Sequence, residues 1–437
     1  MNILDDNLFK KDYEKLLKVY QSKNFVATEI HAKKLISKYP RKFVLFNLLG
    51  LVLSQQNKTK KAIQSYKQAI DIKPNFLEAQ YNLAAALHRL KKFEDAVIHY
   101  KQVVKLKPEL FEVYIPLGNI LKFLGKIEES IKCFKKALHY QPDLMSAHIS
   151  LGIALQENKN YEEAILHLKK STLQGSKARI LECLYALGKI DEYKKNLKEI
   201  CKSDPKNIRA GTISTFASQQ LNLDIVHPFC KKPFDFIYIK NTKNIINNFD
   251  LFLNSLRNEI DELESYWEES GKVTIKGFKT FGNIFDNKNE KIVFLNNLIL
   301  DEINKYKYQY QKSKSVLISQ WPKKFTLYGW SVKYLKCNQN LHIHPDGWIS
   351  GCFYISMPKK LKGNEGAIKF SLQGFNYPIM NKKKGLTTTR HKPQPGDIVL
   401  FPSSLFHGTI PFSSEDERIV IAFDVRPQTE KIMNDDE

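Results

Sequence analysis

The first half of the chain repeats a pattern of small, aromatic and proline positions every 34 residues. Small residues recur at Gly50, Ala84, Gly118 and Gly152, large ones at Tyr66, Tyr100, Phe134 and Leu168, and prolines at Pro40, Pro74, Pro108 and Pro142. Small residues let two helices come close, and proline ends a helix because it has no backbone N–H. The pattern therefore predicts helix-turn-helix units stacked one on the next.

This period and residue pattern are those of the tetratricopeptide repeat. Clear repeats run from about 42 to 175, with a degenerate repeat before them and a shortened one after them, so the predicted superhelix covers 1–206. The concave face of such a superhelix binds proteins or extended peptides. We therefore expect the repeats to recruit a protein or peptide, or alternatively to serve only as a scaffold for the second half of the chain.

The second half has a different pattern. Residues 207–229 lose the repeat and are predicted to form a connector, with one last helix at 207–222 and an entry strand or loop at 227–233. The remainder, 230–437, contains short apolar runs bounded by Gly and Pro, at 348–355, 366–370, 398–401 and 418–425. Such runs predict the short strands of a jelly-roll barrel. Helical spacing at 249–266 and 291–312 predicts two flanking helices.

Composition narrows the class of protein. The length of 437 residues suits two domains, and 43% hydrophobic residues allow both to fold. No apolar run approaches the roughly 18–20 residues that a membrane span requires. The acidic start of the chain has no signal region, and the six cysteines are dispersed without a CxxC pair. We therefore expect reduced thiols, a cytoplasmic location and no membrane partner.

The formal net charge of +22 raises the question of nucleic-acid binding. Only eight of the 68 basic residues are arginine, and the lysines are spread through the repeats and loops. Nucleic-acid sites usually cluster basic residues on one face and mix in arginine or aromatic residues. We interpret the charge as a solvated surface that favours acidic partners, and nucleic acid is not a favoured partner.

Candidate chemistry is concentrated near the end of the chain. His344, Asp346 and His407, followed by Arg418, supply two imidazoles, a carboxylate and a guanidinium. Two histidines and a carboxylate on one face hold Fe(II) and leave positions open for a chelating substrate and O₂. Residues two apart on a strand face the same side, so His344 and Asp346 could reach one ion. An arginine suits a remote carboxylate, which it binds through two parallel hydrogen bonds.

Two ligand sets remain open at this site. His342, His344 and Asp346 are at alternate positions and would face the same side of a strand. The ligand pair is therefore either His344 with Asp346 or His342 with His344. We favour the first pair because its carboxylate completes the usual triad and lowers the charge of the ferrous site. The second would give a cupin-like site of three histidines. Tyr354 either hydrogen-bonds a co-substrate or packs inside the barrel.

The motifs around these residues resemble one known family. Residues 330–427 look like the double-stranded β-helix of 2-oxoglutarate/Fe(II)-dependent oxygenases, closest to a bacterial family with His-x-His-Pro and Pro-Gly-Asp motifs. The matching segments are His342-Ile343-His344-Pro345, Ser350-Gly351-Cys352-Phe353-Tyr354, Pro395-Gly396-Asp397 and Phe401-Pro402-Ser403. Including a leader segment at 277–285, the resemblance covers roughly 227–427. Prolyl 4-hydroxylases are similar more distantly.

The resemblance implies an oxidoreductase of the hydroxylase type. His344, Asp346 and His407 would bind Fe(II), and 2-oxoglutarate would chelate the metal with its far carboxylate on Arg418. O₂ would be the second co-substrate, and ascorbate is an optional reductant. A protein or peptide brought by the repeats would be the prime substrate. The alternative is a non-catalytic interaction protein whose jelly-roll domain is inactive.

Overall fold

The structure, a computed structural model, describes residues 3–171, 174–268, 277–337, 340–375 and 377–428. The first two residues, and the side chain of Cys337 that was counted among the reduced thiols, lie outside the described part. The chain divides into two compact units, Met1–Asn158 and Lys159–Glu437, which we call the repeat unit and the mixed unit. None of the described helices is long and apolar enough to cross a membrane.

The repeat unit consists of helices that pack against their neighbours in the chain. They are α1 (Ile3–Gln21), α2 (Phe25–Lys38), α3 (Phe43–Gln55), α4 (Thr59–Ile72), α5 (Leu77–Arg89), α6 (Phe93–Leu106), α7 (Tyr114–Phe123), α8 (Ile127–Tyr140) and α9 (Met145–Glu157), with a 3-10 turn at Phe111–Val113. A methyl group added at Gly50 would lie 2.4 Å from the Tyr66 ring, and one at Gly118 would lie 2.6 Å from the Phe134 ring. The predicted need for small residues opposite aromatic ones is confirmed.

The turns inside the repeats share one backbone conformation. Lys23, Asn57, Lys91, Gly125 and Lys159 all have positive φ, between 59° and 76°. These positions are again spaced by 34 residues, and each connects the first helix of a repeat to its second. The left-handed conformation is unfavourable for lysine, so the turn geometry, rather than the local residue preference, sets it. The helical repeat region predicted from the sequence is confirmed, and its extent over 1–206 stays a prediction.

The mixed unit contains the remaining helices and all the strands. Its helices are α10 (Tyr161–Leu168), α11 (Gln174–Ala186), α12 (Ile190–Ser203), α13 (Ile208–Leu221), α14 (Phe249–Asp261), α15 (Glu290–Gln309) and α16 (Val316–Ser319), with 3-10 turns at Pro233–Phe236 and Ile284–Asp286. Its strands are β1 (Tyr238–Asn241), β2 (Ser265–Glu268), β3 (Gly277–Thr280), β4 (Phe325–Cys337), β5 (Ile349–Ser356), β6 (Ile368–Ser371), β7 (Thr388–His391), β8 (Asp397–Pro402), β9 (Phe406–Thr409) and β10 (Phe412–Pro427).

The strands form two antiparallel sheets. One has seven strands in the order β1-β8-β5-β10-β4-β3-β2, and the other has three in the order β7-β6-β9. Alternate residues of the large sheet face opposite sides. On β10, Ile421 and Phe423 pack in the core shared with α14 and α15, whereas Val420 packs towards Phe370 of the small sheet. This arrangement agrees with the predicted jelly-roll with flanking helices, and it makes the space between the sheets available for a site.

The predicted elements are mostly found, with shifted ends. The four predicted strands correspond to β5, β6, β8 and β10, and the predicted last helix is α13. The helix predicted over 249–266 is too long. It ends at Asp261, and Tyr266 and Trp267 lie instead in β2, which pairs with β3. Aromatic residues favour a strand, and this preference wins where the amphipathic pattern ends.

The helices after the clear repeats belong to the mixed unit. Tyr185 Oη on α11 donates to the backbone oxygen of Pro378 at 3.0 Å. Thr212 Oγ1 on α13 donates to the backbone oxygen of Ser404 at 2.8 Å. The sequence predicted that the second domain begins at residue 230, after a connector. That domain boundary stays a prediction. The second compact unit begins at Lys159, and it includes α11 and α13, which make side-chain contacts with the loops between strands.

Candidate metal centre

Three histidines converge between the two sheets. Among the described residues, His342, His344 and His407 form a group whose ligand atoms all lie within 4.8 Å of one another. His342 and His407 face each other across a β-bridge, and each backbone N–H donates to the other's carbonyl oxygen at 3.0 Å. The backbone therefore holds two of the imidazoles side by side.

Each of the three imidazole rings is oriented by a hydrogen bond at its Nδ1 atom. The Nδ1 atom of His342 lies 2.9 Å from the Asn340 carbonyl oxygen, and that of His407 lies 3.2 Å from the Leu405 carbonyl oxygen. A carbonyl oxygen only accepts, so both Nδ1 atoms carry the proton. Their Nε2 atoms are then bare lone-pair donors. His342 Nε2 lies 3.1 Å from His344 Nε2, an approach of two ring nitrogens that a shared cation would stabilise.

Burial keeps two of these imidazoles uncharged. Burial and the neighbouring His344 lower the pKa of His342 to about 3. Burial, followed by the two other histidines, lowers the pKa of His407 well below its ordinary value. Neutral imidazole is the form that binds a metal ion. At neutral pH the pocket thus presents unprotonated nitrogen ligands.

The third imidazole is held by a buried carboxylate for which the sequence predicted no role. Asp424 Oδ1 lies 2.5 Å from His344 Nδ1 and accepts from Ser350 Oγ at 2.8 Å. Ser350 Oγ also lies 2.8 Å from Ser403 Oγ. Burial acts to raise the pKa of Asp424, but His344 and the hydrogen bonds bring it below its ordinary value. An ionised carboxylate behind a histidine fixes its tautomer and strengthens it as a ligand.

Gly347 is required for this close packing. A methyl group at Gly347 would lie 2.8 Å from Ser403 Oγ and 3.1 Å from Asp424 Oδ1. Asp424 could have been noticed in the sequence as an acidic residue inside an apolar run, at an even interval from Arg418. Its partner on β5 could not, because the Asp424–Ser350 pairing joins distant parts of the chain.

Asp346 is not part of the histidine group. The backbone N–H of Gly347 donates to the His344 carbonyl oxygen at 3.0 Å, which closes a four-residue turn with Pro345 and Asp346 at its centre. Asp346 is exposed at the rim of the cavity. The expectation that His344 and Asp346 share a strand face does not hold, because proline at the second position favours a turn here. The same-side argument applies instead to His342 and His344.

Arg418 and Tyr354, the two residues predicted to bind a co-substrate, both line the cavity. Arg418 is 2% exposed, and its guanidinium lies 5.2 Å from the centre of the Tyr354 ring. Arg418 Nε and Tyr354 Oη are buried without a hydrogen-bond partner among the described residues. Burial raises the pKa of Tyr354 well above its ordinary value, and the neighbouring Cys352 thiol raises it further.

The cavity has a volume of about 270 Å³. It is lined by inward-facing residues of β4 (Trp330, Val332, Tyr334), β5 (Cys352, Tyr354) and β10 (Arg418, Val420, Ala422, Asp424, Arg426), together with the histidines. Buried polar groups normally have partners, so the Arg418 Nε atom, which has none among the described residues, favours a polar ligand in this cavity. Three nitrogen donors suit Fe(II) as well as other first-row metals. The residues present therefore fit a metal ion together with a small anion.

Comparison with known families identifies two kinds of domain in the chain. Residues 330–424 match the family model described as "Putative 2OG-Fe(II) oxygenase". Residues 50–91 and 118–159 match a "TPR repeat" model, and 77–110 match a "Tetratricopeptide repeat" model. The chain thus combines tetratricopeptide repeats with a carboxy-terminal domain of this oxygenase type. The resemblance stated from the sequence is confirmed.

Individual proteins are similar to part of the chain. The peroxisomal targeting signal receptor of Saccharomyces cerevisiae is 40% identical over 47 residues, which is 11% of this chain and 8% of the receptor. MamA from Desulfovibrio magneticus is 18% identical over 37% of this chain and 92% of its own, with a TM-score of 0.35. YrrB, described as a repeat protein with an unusual peptide-binding site, is 14% identical over 41% and 94%, with a TM-score of 0.39. Scores this low carry no argument about function.

Proposed function

We propose that this chain, in which tetratricopeptide repeats precede a 2OG-Fe(II) oxygenase-type domain, is a 2-oxoglutarate-dependent hydroxylase that acts on a protein or peptide. The observation that carries the proposal is the cavity between the sheets. It combines three histidines whose ligand nitrogens lie within 4.8 Å of one another with a buried arginine whose Nε atom has no hydrogen-bond partner among the described residues. A metal ion and a carboxylate-bearing co-substrate would satisfy both features at once.

His342, His344 and His407 are the proposed metal ligands. Their support is the hydrogen bonding of each Nδ1 atom to an oxygen, which leaves each Nε2 free to coordinate. Asp346, the carboxylate ligand expected from the sequence, stays a competing prediction because it lies at the cavity rim. In the three-histidine set the nearest negative charge is Asp424, which acts through the His344 ring rather than by coordination.

Arg418 is the proposed partner of the far carboxylate of 2-oxoglutarate. Burial of a guanidinium is costly unless an anion accompanies it, and a planar fork pairs with both oxygens of a carboxylate. The Tyr354 hydroxyl lies in the same part of the cavity and can donate to that carboxylate. The Tyr334 and Tyr354 rings flank the guanidinium at 5.7 Å and 5.2 Å and restrict its orientation.

When bound, Fe(II) with 2-oxoglutarate and O₂ supplies the oxidant for hydroxylating a C–H bond. The chain's own residues bind, orient and shield. The apolar wall of Val332, Val420 and Ala422 limits water around the metal ligands. Trp330 packs beside His344 with ring centres 5.5 Å apart and keeps that ring in place. The neutral state of His342 and His407 means that no proton has to leave before metal binds.

The repeats are proposed to bring the prime substrate or a partner. Tetratricopeptide repeats bind proteins and peptides and perform no chemistry themselves. Joining such a module to a catalytic domain raises the effective concentration of a bound target at the metal. We therefore propose a protein or peptide, rather than a free metabolite, as the molecule that is hydroxylated.

The test is consumption of 2-oxoglutarate by the full-length protein with Fe(II), in the absence of a prime substrate. His407→Ala should abolish this turnover because one of three ligands is lost. His391→Ala is the matched control, because His391 pairs with Asp397 at 2.8 Å and does not line the cavity. Turnover in His407→Ala equal to that of the parent would contradict the proposal and favour a non-catalytic interaction protein.

A further inference from the structure

The residue next to a proposed metal ligand connects the cavity to the helices after the clear repeats. Phe406 directly precedes His407 in β9, so their side chains point to opposite sides of the strand. His407 faces the cavity, and Phe406 packs against the rings of Phe375 and Tyr377 at 4.9 Å and 5.7 Å. A methyl group at Gly374 would lie 2.2 Å from the Phe406 ring. Movement of the segment that carries Gly374, Phe375 and Tyr377 would therefore displace β9.

This segment is held in place by a buried carboxylate on α11. Glu182 is 3% exposed. One of its oxygens accepts from Tyr377 Oη at 2.5 Å, and the other accepts from Arg209 Nη2 on α13 at 2.9 Å. Burying a carboxylate is favourable only where several donors satisfy it. Glu182 on α11 is therefore connected to α13 through Arg209 and to the segment through Tyr377.

The backbone at Phe375 shows that the segment is held under constraint. Phe375 has φ of 48°, in the left-handed region, which is unusual for a bulky residue. Such conformations persist where the surroundings over-determine them. Here the Arg209 guanidinium lies 4.6 Å from the centre of the Phe375 ring, and Phe406 packs against the same ring. The contacts that hold Phe375 are thus the same contacts that connect Glu182 to β9.

A second connection reaches the approach to β9. Thr212 Oγ1 on α13 donates to the backbone oxygen of Ser404, three residues before His407. Leu405, between them, supplies the carbonyl oxygen that orients the His407 ring. The helices α11 and α13 therefore reach Phe406 of β9 through Tyr377 and Phe375, and α13 also contacts the segment that leads into β9.

We propose that Glu182 is a positioning residue for the metal centre: through Tyr377 and Arg209 it fixes Phe375 and Tyr377 against Phe406, and thereby the position of His407. This inference rests on the proposed function, because it takes His407 to be a metal ligand. It assigns the helices after the clear repeats a role in the oxygenase site itself, beyond recruitment of a partner.

The experiment measures metal binding rather than turnover. Tyr377→Phe in the full-length protein removes only the hydroxyl that Glu182 accepts from. Its dissociation constant for Co(II) should rise by about 3- to 30-fold, the range for residues that act through a packed network. The visible absorption bands of bound Co(II) should also shift, because they report ligand geometry. Glu182→Gln, which can still accept from Tyr377, should lose less affinity than Glu182→Ala.

The matched control is Tyr238→Phe. Tyr238 donates to buried Glu302 at 2.7 Å, the same kind of contact in the same unit, but neither residue lines the cavity. This variant should lose similar thermal stability with no change in Co(II) affinity or absorption. If Tyr377→Phe behaves like Tyr238→Phe, the positioning role of Glu182 is overturned while the metal centre stands. If the parent binds no Co(II) that His407→Ala removes, the proposed function fails, and this inference fails with it.

Discussion

The carboxylate of Asp424 should strengthen metal binding by about tenfold although it touches no metal. In Asp424→Asn the side-chain oxygen can still accept from both His344 Nδ1 and Ser350 Oγ, because both contact the same oxygen of Asp424, so these contacts are kept and the charge is lost. A hydrogen bond to a charged group contributes roughly 1.5–3 kcal/mol, against about 1 kcal/mol for a neutral one. A difference of about 1.4 kcal/mol corresponds to a tenfold change in a dissociation constant.

Asp424→Ala should have a larger effect. It leaves the His344 N–H and Ser350 Oγ without their shared acceptor in a site that is almost fully buried. The loss of metal affinity should approach about 100-fold, the upper range for residues behind a ligand. The free energy of unfolding should also fall, by about 1–3 kcal/mol, because buried polar groups lose their partner.

The assay is calorimetric titration of the full-length protein with Co(II), together with urea unfolding of each variant. Asp397→Asn is the control, because Asp397 forms a comparable buried contact with His391 at 2.8 Å away from the cavity. It should lower stability without changing Co(II) affinity. An Asp424→Asn variant that is folded and binds Co(II) as tightly as the parent would refute the reasoning.

Three more predictions concern other parts of the mixed unit. Arg418→Ala should raise the 2-oxoglutarate concentration needed for half-maximal turnover by roughly 100-fold or more and leave Co(II) binding intact, since an unpaired buried carboxylate costs about 3–5 kcal/mol. Arg418→Lys should lower that concentration part of the way back, and an unchanged concentration in Arg418→Ala would contradict the assignment. A fragment starting at Lys159 should fold and bind Co(II). A fragment starting at Asp224 lacks α11 and α13 and should unfold at a lower temperature, and equal melting temperatures of the two fragments would argue against the unit boundary. Burial lowers the pKa of His227 from 6.5 to about 4. The free energy of unfolding should therefore fall by about 3 kcal/mol as the pH drops from 6.5 to about 4, because the unfolded chain binds the proton first. In urea unfolding, His227→Gln should remove this part of the pH dependence.

The repeat architecture could be predicted because its causes are local. A glycine that must face an aromatic ring, such as Gly50 against Tyr66, recurs at a fixed spacing that is visible in the sequence. The strands of the jelly-roll were also visible, since their apolar runs end at Gly and Pro. The end of α14 was missed because helical and strand preferences compete there, and tertiary pairing of β2 with β3 decides the outcome.

The site was only partly predictable, for reasons of long-range geometry. Its residue types and order identified the right segment, and His344, His407, Arg418 and Tyr354 all line one cavity. Counting alternate positions along a strand did not distinguish His342 from Asp346, because Asp346 lies inside the turn closed by Gly347 and is not part of a strand. Asp424 acquires its role only through the pairing of β10 with β5.

In the proposed metal centre, His342 rather than Asp346 completes the ligand set with His344 and His407. The most direct measurement is Co(II) titration of His342→Ala and Asp346→Ala side by side, with the absorption of the bound ion recorded at saturation. We predict that His342→Ala loses tight binding as His407→Ala does, whereas Asp346→Ala binds like the parent with unchanged absorption bands. Loss of binding in Asp346→Ala with binding retained in His342→Ala would contradict the three-histidine site and restore the carboxylate triad.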